Sequence, residues 1–139
     1  AEAVGWGDGC MGDVQAAVDA LAPNGSVFVM GFCFGGTTTW LVAVLWERSS
    51  VFAGVYGGQI VRYRDETPKC PTILHFGEQD HGIPMADVEK VKAARPEVKV
   101  YVYPAGHGFS CDERASFDQA SSDKALAVSL AFLRQNLDN

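Results

Sequence analysis

The sequence has few basic side chains, no long apolar run and no C-x-x-C pair of cysteines. Eleven lysines and arginines stand against seventeen acidic residues, which gives a formal net charge of −6 over 139 residues. This acidic balance disfavours nucleic acid or an anionic membrane surface as the main partner. The longest wholly apolar run, residues 40–46, has seven residues, whereas about 20 are needed to span a bilayer. The N-terminus shows no basic segment followed by an apolar stretch, so a cytoplasmic protein without a secretory signal is expected.

The cysteines and histidines follow no pattern that indicates a disulfide framework or a metal site. No C-x-x-C pair occurs among the four cysteines, which are Cys10, Cys33, Cys70 and Cys111. The three histidines lack zinc-ligand spacing to any of them. His75 falls within a strand-like run, which is typical of a core or sheet-face histidine. No G-x-G-x-x-G run follows a strand-like segment. The sequence therefore predicts free thiols, no metal and no cofactor.

Strand-like and helix-like segments alternate four times along the chain. Residues 1–12 hold four glycines and are interpreted as a loose leader to a single domain, because 139 residues suffice for one core and not for two. Short apolar runs predict strands at residues 27–30, 51–56, 72–76 and 98–103. Helical spacing predicts helices from Asp13, over residues 37–46, from Pro84 and from the loop at 104–110 to the C-terminus. In the last helix a buried stripe is expected at Leu126, Leu130, Leu133 and Leu137.

This alternation predicts an α/β domain: a parallel sheet of about four strands between two layers of helices. In such sheets the functional residues lie in loops at the carboxyl ends of the strands. Three of the four predicted strand ends carry a side chain of catalytic type.

The first of these is a cysteine in the run G-x-C-x-G-G, between a predicted strand and a predicted helix. Gly31, Gly35 and Gly36 surround Cys33 there. This is the pattern of a nucleophile elbow, in which glycines permit a tight turn and the nucleophile projects at a helix N-terminus. The helix end favours a thiolate, and the backbone N–H of Phe34 would point at the carbonyl oxygen under attack. The alternative interpretation is a small buried thiol in a glycine-rich turn.

The two other loops supply an acid and a histidine. Asp80 follows the third predicted strand, where Glu78 and His81 are competing candidates, and His107 stands between glycines after the fourth. Nucleophile, acid and histidine, in that order, is the chain order of α/β-hydrolase triads. In such a triad Asp80 fixes the tautomer of His107, and His107 takes the proton of Cys33. Taken singly, Asp80 also suits a turn-capping role and His107 a solvated loop.

With these residues the sequence resembles the dienelactone hydrolase family of α/β-hydrolases, from about Asp13 to the C-terminus. The resemblance is carried by the closing helix through Leu133 and by four runs, GFCFGG at 31–36, GEQD at 77–80, GHGF at 106–109 and CDER at 111–114. A cysteine in place of the more usual serine narrows the choice of family.

The resemblance implies a truncated α/β-hydrolase fold and a cofactor-free hydrolase of carboxylic esters or lactones that works through a thioester. In this interpretation Cys33 is the nucleophile, His107 is general base and then acid, and Asp80 orients His107. The backbone of Phe34 would be an oxyanion donor. The substrate would be a small ester or lactone.

Two departures from the family pattern affect this expectation. The resemblance begins in the middle of the family's domain, so about four strands, a second oxyanion N–H and a glutamate are expected to be missing. Losing one oxyanion donor costs about 10²–10³ in rate. Where members carry a carboxylate-binding arginine shortly after the histidine, this chain has Cys111, and the nearest arginine is Arg114. Only ester, lactone or thioester hydrolysis is therefore predicted, not the dienelactone itself.

The same departure predicts self-association. The strand that contains Val27 and Met30 has no preceding strand to pair with, and an unpaired apolar edge invites pairing with another chain. The chain is therefore expected not to be a free monomer. A homodimer across this edge, an exchange of segments between chains, and a fragment of a longer polypeptide are the alternatives.

Two functions from other classes remain open. One is a catalytically silent half-domain that acts as an oligomerising or interaction module. The other is a redox-sensing thiol at Cys33, at the same helix N-terminus, although no resolving cysteine is near it in the sequence.

Overall fold

The computed structural model describes residues 9–45 and 50–136. All four predicted strands and all four predicted helices are present. Most of their ends are shifted by a few residues, but the last helix begins only at Gln119, whereas a start directly after the loop at 104–110 was predicted. In chain order they are α1 (Met11–Leu21), β1 (Val27–Phe32), α2 (Phe34–Leu45), β2 (Ser50–Val55), β3 (Thr72–Gly77), α3 (Met85–Ala94), β4 (Lys99–Tyr103) and α4 (Gln119–Asn136). Trp46, at the end of the predicted second helix, and Leu137 lie outside the described residues.

The four strands form one parallel sheet in the order β1-β2-β3-β4. The predicted α/β architecture is therefore confirmed. The register aligns the carboxyl ends: Phe32 pairs with Val55, and Gly77 pairs with Tyr103. The loops that follow the strands consequently meet at one edge of the sheet, where the candidate residues were expected.

Helices cover both faces of the sheet. The Leu74 side chain and the Gly36 carbonyl of α2 both lie beside Gly54, so Leu74 faces α2. Successive side chains of a strand point to opposite faces, and His75 accordingly points the other way, to Ser129 of α4. The sheet is thus the middle of three layers, as predicted.

The core lies mainly between α2 and the sheet. Every residue of α2 from Gly36 to Val44 is buried, which explains why the helix is apolar nearly all round. Trp40 is completely buried, and its indole N–H donates to the carbonyl of Tyr63 at 3.1 Å. This packing holds α2 rigidly against β1 and β2, so the turn that leads into the helix starts from a fixed position.

The leucine stripe predicted for α4 is wrong at Leu126 and Leu130, whereas Leu133 is half-buried. Leu126 is 48% exposed and Leu130 is 37% exposed, whereas Ser121, Ala125 and Ser129 are buried against the sheet. Small residues suit this face because α4 lies close to the sheet, and Ser129 also supplies a polar partner for His75. The leucines and the small residues each repeat at helical spacing, so each set forms one face of α4. Hydrophobicity alone therefore predicted that the leucine face would be buried.

The N-terminal helix begins earlier than predicted. It starts at Met11, two residues before Asp13, and Met11 is buried. Cys10 stands at its N-terminal end with its Sγ 3.6 Å from Oγ1 of Thr38. The end of the predicted loose leader is therefore packed structure, while residues 1–8 lie outside the described part of the chain.

Within residues 9–45 and 50–136, no helix combines the length and the apolarity needed to cross a membrane.

Candidate active site

The turn between β1 and α2 places Cys33 in a strained backbone conformation at the start of the helix. Cys33 has φ 55°, a left-handed value that a side chain with a Cβ rarely adopts. Its backbone N–H donates to the carbonyl of Val55 at 3.0 Å, and its carbonyl accepts the N–H of Gly36 at 3.0 Å. The Cys33 side chain is exposed. These features are those of the predicted nucleophile elbow.

The glycines of the elbow do not all serve the same purpose. A Cβ on Gly31 would overlap the Gly35 carbonyl, and a Cβ on Gly36 would lie 2.5 Å from the Val55 carbonyl oxygen. At Gly35, by contrast, nothing lies within 4 Å of the position that a Cβ would occupy. The tight turn therefore requires glycine at positions 31 and 36, whereas at position 35 a Cβ would meet no neighbouring atom.

Cys33, His107 and Asp80 form one hydrogen-bonded chain. Cys33 Sγ lies 3.2 Å from His107 Nε2, and His107 Nδ1 lies 2.6 Å from Asp80 Oδ2. The three residues come from loops after β1, β4 and β3, and the sequence separation between Cys33 and His107 is 74 residues. An acceptor carboxylate at Nδ1 leaves the Nε2 lone pair directed at the thiol.

Asp80 is fixed by its own loop. Its side chain is fully buried, and Oδ1 accepts the N–H groups of Gly82 at 2.8 Å and Ile83 at 3.1 Å. Oδ2 is therefore the oxygen left for His107. Of the three candidates in this loop only Asp80 points inward, since Glu78 and His81 are both exposed.

The loops that carry Asp80 and His107 are joined through their backbones. The N–H of Gln79 donates to the carbonyl of Ala105 at 3.0 Å. Gly77 permits this approach, because a Cβ there would overlap that same carbonyl. Ser116 Oγ donates to the His107 carbonyl at 2.5 Å and holds the far side of the loop. The backbone of the His107 loop is thus held at Ala105 and at His107 itself.

Tyr56 is a part of the site that the sequence analysis missed. It follows β2, has φ 37°, and its ring centroid lies 5.1 Å from that of His107. Burial raises the pKa of Tyr56, hydrogen bonds with Ser110 act in the opposite direction, and the nearby thiols Cys111 and Cys33 raise it further. Its ring packs against one side of the imidazole. The sequence did contain a signal for Tyr56. It is a polar aromatic residue at the carboxyl end of β2, the strand whose following loop had no candidate residue.

A cavity of about 270 Å³ opens beside Cys33. It is bounded by Cys33, Phe34, Thr37, Gly58, Gln59, Gly82, Ile83 and His107. A separate cavity of about 570 Å³ lies along the loops at 104–107 and 115–118 and touches His107 but not Cys33. Of these two cavities, the smaller one is open to the thiol.

His75 was expected to be a core or sheet-face histidine, and this is confirmed. It is completely buried, with Nδ1 2.9 Å from the Tyr103 hydroxyl and Nε2 2.9 Å from Ser129 Oγ. Because Ser129 donates its own proton to the Ala125 carbonyl, it accepts from Nε2–H, and Tyr103 donates to Nδ1. Burial lowers the pKa of His75 to about 4. This neutral histidine ties β3 and β4 to α4.

Among the described residues, no group of three potential ligands is placed to hold a metal ion.

Comparison with known proteins agrees with this architecture. The sequence profile of the dienelactone hydrolase family matches residues 7–137. A protein of a Synechocystis strain, provisionally named a carboxymethylenebutenolidase, is 35% identical over 122 residues, which are 76% of this chain and 49% of that protein. The carboxymethylenebutenolidase of Pseudomonas putida is 29% identical over 133 residues, which are 88% of this chain and 56% of that protein.

A solved structure gives the same result. A Klebsiella pneumoniae protein provisionally named a dienelactone hydrolase superimposes with a TM-score of 0.78 at 25% identity, covering 90% of this chain and 60% of the other. The chain spans about half the length of the curated relatives it matches. Since the family profile extends over almost all of the sequence, the chain belongs to the dienelactone hydrolase family.

Proposed function

We propose that this chain carries the catalytic triad of a hydrolase that cleaves carboxylic ester or lactone bonds through a thioester at Cys33. The observation that supports this most is the continuous chain of hydrogen bonds from Cys33 through His107 to Asp80, at 3.2 and 2.6 Å. The strained backbone of Cys33 and the dienelactone hydrolase profile add to it. The proposed substrate class, carboxylic esters or lactones, is taken from the name of the relatives, carboxymethylenebutenolidase.

Acylation begins when Cys33 Sγ attacks the carbonyl carbon of the substrate. The thiol proton moves to His107 Nε2, which can accept it because Asp80 holds the other ring nitrogen as a donor. The carbonyl π electrons move to oxygen and form a tetrahedral oxyanion. When this intermediate collapses, the bond from carbon to the leaving oxygen breaks and His107 returns the proton to that oxygen. A lactone would open at this step and stay attached as a hydroxyacyl thioester.

Deacylation follows the same path with water as nucleophile. His107 Nε2 takes a proton from water while the water oxygen attacks the thioester carbon. The C–S bond then breaks, and His107 returns the proton to Cys33, so that the free acid leaves and the resting thiol is restored. The Asp80 carboxylate, with its two backbone donors, stays in place throughout and stabilises the imidazolium.

The oxyanion would be stabilised at the N-terminus of α2. Phe34 is the first residue of this helix and follows the nucleophile directly, so its backbone N–H is the proposed donor, assisted by the helix dipole. Removing one oxyanion donor typically lowers the rate about 10²–10³-fold, so this N–H is proposed to contribute an effect of that size. A rate that depends on Cys33 is accordingly the expected behaviour.

Substitution of the proposed nucleophile, with another cysteine as control, tests this function. Hydrolysis of p-nitrophenyl acetate would be measured for the parent chain and for Cys33→Ala, His107→Ala and Cys111→Ala. Loss of a triad member is expected to lower kcat to below about 10⁻³ of the parent value. Cys111→Ala removes a different half-exposed thiol and is expected to retain the parent rate. Activity that survives in Cys33→Ala but not in Cys111→Ala would overturn the assignment.

A further inference from the structure

The cavity beside Cys33 is small and largely apolar. Phe34 and Ile83 form its apolar walls, and Cys33 and His107 stand at its edge. Its volume of about 270 Å³ equals the liquid volume of about nine water molecules, which is below the range of about 300–1,000 Å³ for sites of drug-sized ligands. The cavity therefore has a size that suits a short acyl chain.

The described side chains that line this cavity carry no fixed charge. Among its described lining residues, the only polar side chains besides the reacting pair are Thr37 and Gln59, both uncharged. Arg114, the nearest arginine along the chain to His107, is not among them, because its side chain lies over Gly108, within 3.2 Å of where a Cβ on that glycine would be. A carboxylate entering the cavity would lose water without gaining a cation, and such desolvation is unfavourable.

Gln59 is fixed at the wall of the cavity by its backbone. Its N–H donates to Oγ1 of Thr37 at 3.2 Å, and Thr37 lies one helical turn after Cys33. Gln59 is half-buried. A carboxamide can donate or accept a hydrogen bond, so it suits a neutral polar group in the bound chain.

We infer that the Cys33 cavity binds the acyl part of the substrate, and that this acyl group is short and uncharged, with Gln59 as the residue that sets this preference. The inference rests on the proposed function and adds the substrate class to it. An acyl chain with a terminal carboxylate would be rejected by the same cavity. A cation placed at Gln59 would remove most of that discrimination.

Two matched esters test the charge preference. p-Nitrophenyl butyrate and p-nitrophenyl hemisuccinate both carry four-carbon acyl groups, and only the hemisuccinate has a terminal carboxylate. For the parent chain kcat/KM is expected to be more than about tenfold higher for the butyrate, a difference of about 1.4 kcal/mol. In Gln59→Lys the ratio is expected to fall by about tenfold. Gln79→Lys is the matched control, because Gln79 lines the larger cavity beyond His107 and not this one, and it is expected to keep the parent ratio.

A second readout does not require turnover. Alkylation by iodoacetamide and iodoacetate would be followed at Cys33 by peptide mass, with Cys111 of the same chain as reference. The preference for the neutral reagent is expected to be larger at Cys33 than at Cys111, and to shrink in Gln59→Lys but not in Gln79→Lys. Equal kcat/KM of the parent chain for the two esters, or equal effects of Gln59→Lys and Gln79→Lys, would overturn the inference. Failure of both esters to acylate Cys33, with the alkylation preference intact, would instead count against the hydrolase.

Discussion

Replacing Asp80 with asparagine exchanges one oxygen of the site for an N–H₂ donor at almost constant shape. The structure fixes which oxygen is exchanged. Oδ1 accepts two backbone N–H groups, from Gly82 and Ile83, so the amide oxygen of the asparagine has to remain at that position. The amide nitrogen is then directed at His107 Nδ1, where Oδ2 stood 2.6 Å away.

The consequence for His107 is a change of tautomer. Facing a donor, Nδ1 has to accept, and the ring proton moves to Nε2, 3.2 Å from Cys33 Sγ. A protonated Nε2 cannot take the thiol proton. The corresponding change in a serine protease triad lowers kcat about 10⁴-fold with intact geometry, equivalent to about 5 kcal/mol of transition-state stabilisation.

The assay is kcat/KM for p-nitrophenyl acetate, with thermal unfolding recorded for every variant. Asp80→Asn is expected to fold like the parent and to lose about 10⁴-fold in activity. Glu78→Gln makes the same chemical change two residues away on an exposed side chain and is expected to stay within about twofold. A folded Asp80→Asn variant that keeps activity within about tenfold of the parent would refute the reasoning from tautomer to proton transfer.

Three further predictions concern the elbow, the buried histidine and assembly. Gly31→Ala is expected to lower the free energy of unfolding by about 1–3 kcal/mol, because the new methyl group would overlap the backbone. Gly35→Ala is expected to change the free energy of unfolding by less than about 0.5 kcal/mol. Urea unfolding of both variants measures these changes. The pKa of His75 in the folded protein is about 4, below its ordinary value near 6.5. As the pH falls, His75 is therefore protonated in the unfolded chain before it is protonated in the folded protein. Stability is expected to fall as the pH drops from about 6.5 to 4, by roughly 3 kcal/mol in all, and urea unfolding should show a smaller decline in His75→Gln than in His81→Gln. The edge strand β1 is expected to support a dimer; light scattering that finds only monomer at micromolar concentration would contradict this.

The ends of the strands could be predicted from the sequence because they depend on short, local patterns of apolar residues. Buried parallel strands are short apolar runs, and the loop after each run is the place for polar function. Cys33, Asp80 and His107 could therefore be assigned to one edge before any contact was known. The contacts themselves, such as the backbone bond from Gln79 to Ala105 that joins two of these loops, come from tertiary packing and leave no pattern in the sequence.

The residues that were missed or misassigned are those whose role depends on a distant neighbour. Leu126 and Leu130 have the spacing of a buried stripe, yet the helix turns Ser129 to the sheet, where His75 requires a hydrogen-bond partner. Tyr56 and Gln59 lie after the second strand, in a segment with no residue that sequence alone marks as reactive. Their importance comes from the proximity of His107 and of the cavity beside Cys33.

The central claim is that Cys33 forms a covalent thioester during turnover. Intact mass spectrometry of the chain after brief mixing with p-nitrophenyl acetate, read together with product release, tests it most directly. The account predicts a single acetyl adduct that maps to Cys33, decays with continued release of product, and is absent from Cys33→Ala. Product release without any adduct on Cys33, or an adduct that forms equally in Cys33→Ala, would contradict it.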